Sequence, residues 1–85
     1  MTTPDPEAVL AIVERYAAVH ARELMAYDDD ALEWERQFAR RAVIVLDELM
    51  RLGAREETLF GSGVCYMQEM MRAWNEAKRA NASAH

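Results

Sequence analysis

Apolar residues recur at helical spacing along most of the chain. Val9, Ile12, Val13, Tyr16, Ala17, His20 and Leu24 follow one another at steps of three and four, the spacing of one face of an α-helix. Asp5-Pro6-Glu7 opens this stretch. Aspartate caps well, proline loses nothing at a position whose N–H has no intrahelical acceptor, and glutamate complements the positive end of the helix dipole. A first helix is predicted over 6–26, after a frayed start at 1–4. Asp28-Asp29-Asp30 then breaks the pattern, because adjacent acids repel and aspartate favours caps and turns. One of the three is expected to cap a second helix over 30–52, with Glu33 in its first turn and Gly53 as its stop.

The second helix carries two apolar stripes. One is Trp34, Phe38, Ala42, Val45, Leu49 and Leu52; the other is Leu32, Ala39, Val43, Leu46 and Met50. A helix apolar on several sides is covered on several sides, so this one is predicted to be the central helix or to lie at a subunit interface. The β-branched run Val43-Ile44-Val45 does not make a strand, since the helical period continues on both sides of it.

The third segment, predicted over 55–80, places Leu59, Phe60, Gly63, Met67, Met70, Met71, Trp74 and Ala77 at helical spacing. Gly61-Ser62-Gly63 interrupts it, and each glycine costs about 1 kcal/mol inside a helix. The phase from Leu59 to Met67 is kept. The favoured reading is therefore a continuous or kinked helix whose small residues allow close packing. The alternative is a turn at 61–63, with Ser62 capping a helix over 63–80. The tail 81–85 is small and polar and is expected to be disordered. The sum is an all-α, single-domain, antiparallel three-helix bundle with the second helix in the middle.

Eighty-five residues bury a modest core, yet 52% of them are hydrophobic. Part of that surface is expected to meet a second copy, giving a homodimer through exposed parts of helices two and three. The single cysteine, Cys65, excludes an intramolecular disulfide and suits a reducing, cytoplasmic setting. No basic segment with an apolar run follows Met1, so no signal peptide is expected. The apolar runs, 42–46 among them, are far short of a membrane span, so no membrane partner is expected.

Charge narrows the partners. The net charge is −5, opposite to the basic field that phosphate backbones require, so no direct nucleic-acid contact is expected. Residues 1–35 hold nine acids and two arginines, net −7, whereas residues 36–85 carry +2. Such a dipolar chain steers towards a basic surface or pairs head to tail.

Chemical candidates are few. Tyr16, His20, Glu23 and Tyr27 share a face of the first helix, and His20 with Glu23 could bind a metal or exchange a proton. The helical di-iron pattern, however, is Glu-x-x-His supplied twice. Here the order is reversed and occurs once, so this metal-binding or enzymatic alternative needs a dimer to complete its ligands. Asp28–Asp30 lack the spacing of a calcium loop. Gly61-Ser62-Gly63 lacks the strand, lysine and length of a phosphate-binding loop. Cys65 has no basic neighbour in sequence to activate it. Arg36, Arg40, Arg41, Arg51 and Arg55 read mainly as partners for Glu33, Glu35, Asp47 and Glu48, with an anion-binding face as the alternative. No cofactor is expected.

Methionine and tryptophan are frequent at adaptable contact surfaces. The leading expectation is a non-enzymatic protein that binds other proteins, as an accessory subunit or a phage-type inhibitor. Trp34, Phe38, Met67, Met70 and Trp74 would be its apolar contacts. An acidic rim of Asp28, Asp29, Asp30, Glu33 and Glu35 would select a basic partner. A mimic of nucleic-acid charge is a variant of the same idea.

Overall fold

The computed structural model describes residues 5–83, with side chains through Ala82. It contains α1 (Pro6–Leu24), a 3₁₀ turn (Met25–Tyr27), α2 (Ala31–Arg51) and α3 (Glu56–Ser83). There is no strand among the described residues. The chain is a small all-α three-helix bundle. The expected frayed start at 1–4 and the last residues of the tail, 84–85, lie outside the described residues.

The local signals for helix ends act as expected. The Asp5 carboxylate accepts from the Glu7 N–H at 3.1 Å, and Asp30 accepts from the Glu33 N–H at 3.1 Å, so each aspartate satisfies an otherwise orphaned helical donor. At the end of α2, Gly53 takes φ +91°. Its N–H donates to the Met50 carbonyl at 3.0 Å, and that of Ala54 donates to the Leu49 carbonyl at 3.1 Å. This pair of bonds is a Schellman stop, for which a left-handed glycine is favoured.

The segment around 61–63 is helical throughout, as the kept phase implied. Close packing is not the reason for its glycines. A Cβ built on Gly61 or Gly63 would meet nothing within 4 Å, so neither residue is required by a close approach. The expected disorder from residue 81 is also corrected, because α3 continues to Ser83. Alanine at 80 and 82 favours the helix, and no breaker precedes Ser83.

The larger correction concerns α2. It is not the central helix. α1 buries Val9, Val13, Ala17, His20, Ala21 and Leu24, whereas α2 buries only Val45 and Leu49. α3 adds Ser62, Tyr66 and Met70. α1 and α3 run parallel and form the closest pair, tied by His20 to Tyr66 and by Asp28 to Lys78. Ala17 and Ala21, both buried, remove bulk where α1 is covered. α2 leans antiparallel against this pair and leaves its second stripe outside. The molecule is flat and long, 51 × 24 × 15 Å.

Candidate binding surfaces

Two of the open inter-helix surfaces hold residues singled out by the sequence. The first is the seam between α2 and α3. A cleft of about 330 Å³ there is lined by Phe38, Ala42, Val45, Leu46, Leu59, Phe60, Gly63, Val64, Tyr66 and Met67, none of them charged. Of these, Phe60 is 77% exposed and Met67 51%; on α2, Val43 is 64% exposed and Met50 58%. The stripe Leu32, Val43 and Met50 of α2 is thus apolar and uncovered, which is an exposure that isolated surface residues do not produce.

At its far end the seam closes on aromatic rings. Trp34 stacks on Phe38 at 5.5 Å and meets Trp74 edge-on at 5.7 Å. Both indole Nε1–H donors are buried without an acceptor among the described residues. The Lys78 ammonium lies 4.4 Å from the Trp74 ring centroid and 3.1 Å from an Asp28 carboxylate oxygen.

The sequence-predicted contact residues therefore divide. Met67 and Phe38 line the cleft. Trp34 and Trp74 are half-buried and hold α2 against α3. Met70 is 0% exposed and belongs to the core, so it is no partner contact in this fold. The buried line of α3 runs Ser62, Tyr66, Met70, one step away from the stripe Gly63, Met67. Apolar residues on both sides of α3 made that choice ambiguous, and the partner helix α1 decides it by bonding Tyr66 through His20.

The acidic rim is partly committed elsewhere. Asp28 pairs with Lys78 and Asp30 caps α2. Glu33 accepts from Gln37 Nε2 at 2.8 Å and lies 3.7 Å from Arg36. Asp29 and Glu35 are exposed and have no ion-pair partner among the described residues.

The second surface is a polar groove of about 590 Å³ between α1 and α2, lined by Arg15, Tyr16, Val19, His20, Glu23, Gln37, Arg40, Arg41 and Ile44. His20 does not pair with Glu23. Its Nδ1 lies 2.7 Å from the Tyr66 hydroxyl, while Glu23 accepts from Arg41 Nε at 2.9 Å. Arg41 also donates through Nη1 to the Gln37 carbonyl and side-chain oxygens. Burial holds the His20 imidazole below its usual pKa; Glu23 opposes that shift and Arg41 adds to it. Burial pushes the Tyr66 phenol up to about 12, so it stays protonated beside the imidazole at neutral pH. Among the described residues no three His, Cys, Asp or Glu side chains gather in a way that would hold a metal. A metal at His20 and Glu23 would have to displace Arg41 from Glu23 and would find no third such ligand among them.

Tyr66 is a residue that sequence reading passed over. It joins the two surfaces. Rings run from Tyr16 to His20 at 5.4 Å, to Tyr66 at 5.8 Å, to Phe38 at 6.0 Å and on to Trp34. Its signal was its place four residues before Met70 and four after Ser62 on one helical face, but nothing local named His20 as its partner. Arg15 was likewise passed over, since no acid stands at pairing distance along α1 to mark it.

Among the described residues, no helix is long and apolar enough to cross a membrane. No protein-family model, curated protein or solved structure matches this chain.

Proposed function

We propose that this chain is a non-enzymatic binding protein that works as a homodimer, with the α2–α3 seam as the contact between copies. The observation that carries the reading is the uncharged cleft with exposed Phe60 and Met67 in its lining, together with exposed Val43 and Met50 on α2. A second copy suits the seam as its occupant, because an identical uncharged stripe on another chain would cover this one without burying a charge. The dimer would leave Asp29 and Glu35 on its surface to meet a basic partner, as an accessory subunit or inhibitor does. A charge mimic has less support, because Asp28 and Asp30 already serve Lys78 and the α2 cap.

Sedimentation equilibrium tests the reading. The expected mass is twice 9.7 kDa for the native chain and one chain for Phe60→Asp and for Val43→Asp, with helical circular dichroism unchanged in both. A native chain that stays monomeric, or aspartate variants that stay dimeric, would reject this seam as the contact.

A further inference from the structure

The groove between α1 and α2 has a charge opposite to the rest of the molecule. Three guanidinium groups, Arg15, Arg40 and Arg41, line it against one carboxylate, Glu23, giving +2 in a chain of net charge −5. The other arginines of α2 with neighbouring acids behave as helix-surface pairs: Arg36 with Glu33 and Arg51 with Asp47. Arg41 is satisfied by Glu23 and Gln37. Arg15 and Arg40 have no carboxylate partner among the described residues, and they face the same concavity from different helices.

The walls have distinct chemistry. The Arg15 guanidinium carbon lies 5.6 Å from the Tyr16 ring centroid, which braces a flexible side chain at the groove edge. The His20 imidazole, fixed by Tyr66 at 2.7 Å, and the Gln37 side chain add polar atoms. Val19 and Ile44, both half-exposed, supply an apolar wall. A volume of about 590 Å³ falls within the range of small-molecule sites. Arginine forks match tetrahedral and planar oxyanions through paired N–H donors, and the Glu23 carboxylate on Arg41 shows that the groove already holds an oxyanion of its own.

We propose that this groove is a binding site for a small phosphomonoester, with Arg15 and Arg40 gripping the phosphoryl oxygens and Val19, Ile44 and Tyr16 against its organic part. The phosphoryl dianion matches the two surplus positive charges, and the apolar wall distinguishes an ester from free phosphate. The site is separate from the α2–α3 seam, so it stands whether or not the seam pairs two copies.

The test is a titration of the ¹⁵N-labelled chain with phenyl phosphate, followed by amide correlation spectra at constant ionic strength held with chloride. Saturable shifts are expected around residues 15–23 and 37–44. The double variant Arg15→Gln/Arg40→Gln, altered only at exposed side chains, is expected to bind at least about tenfold more weakly. Arg40→Gln alone should give part of that loss, which secures the result if the double variant unfolds. Arg36→Gln, outside the groove, should bind as the native chain does. The proposal is overturned by unsaturable shifts, by native affinity in the double variant, or by an equal loss in Arg36→Gln. Inorganic phosphate binding as tightly as the ester would overturn the part given to Val19 and Ile44. Succinate binding as tightly would overturn the phosphoryl assignment.

Discussion

α1 and α2 are close in length, and both show helical stripes of apolar residues, yet the fold treats them differently. α1 buries six side chains and α2 two. α1 has one apolar stripe and turns it towards α3. α2 has two stripes, of which the line through Val45 and Leu49 is covered, whereas Leu32, Val43 and Met50 stay outside. The helix with two apolar stripes is thus the less buried one. A helix apolar on two sides needs two neighbours, and in a three-helix chain whose other two helices pair closely, α2 finds only one side covered. Its outer stripe is therefore the face on which the proposed contact between copies rests.

The largest effect that would break this comparison lies in the core. Leu24→Ala and Leu49→Ala, both at fully buried sites, are each expected to cost about 2–5 kcal/mol in urea denaturation, through lost burial and the cavity left behind. For a chain this small, that loss approaches the whole stability. Val43→Ala, on the outer stripe, should cost less than about 0.5 kcal/mol when measured in a monomeric background such as Phe60→Asp. A large loss for Val43→Ala in that background would mean that the two sides of α2 are energetically alike.

A smaller effect separates the two faces of α1 by pH. The His20 imidazole is held below its usual pKa by burial, so the folded chain binds its proton less readily than the unfolded chain. Its stabilising contribution is therefore fully present above the unfolded value near 6.5 and is lost as pH falls towards the folded value. Urea midpoints should fall on acidification from about pH 7.5 to about 5.5, ahead of the range in which the carboxylates titrate. His20→Asn should flatten that slope, even if it lowers stability throughout. An unchanged slope would place the titrating group elsewhere.

The smallest expected effect concerns the two glycines of α3. Each sits in regular helix with open space where a Cβ would go, so Gly61→Ala should raise stability by about 0.5–1 kcal/mol. Gly63 lines the α2–α3 cleft, and Gly61 lines the opposite groove beside Val9 and Val13. Gly63→Ala is expected to weaken dimerisation, while Gly61→Ala leaves it intact, both read by sedimentation. Equal behaviour of the two variants would remove Gly63 from the proposed contact.

The helices themselves were legible in the sequence. Asp5, Asp30 and Gly53 set their ends through bonds to residues two to four positions away, and such bonds need no knowledge of the fold. The apolar phase favoured continuity through 61–63 but left a turn there open, because each glycine weakens a helix. The candidate surfaces were legible only in part. The second α2 stripe and Met67 were visible as apolar positions, but Met70 and Met67 were indistinguishable until α1 took one side of α3. Within the acidic rim, Asp28 could be known to be neutralised only once the C-terminal half of α3 brought Lys78 back to it.

The sequence by itself determined three helices, their caps and their periodic faces, because capping, propensity and spacing act over a few residues. Only the tertiary structure decided which faces meet. It chose α1 rather than α2 as the covered helix, set His20 against Tyr66 rather than Glu23, and gathered Arg15 with Arg40 across a groove. Those two pairings join residues 46 and 25 positions apart, and packing between helices, rather than any local rule, brings such residues together.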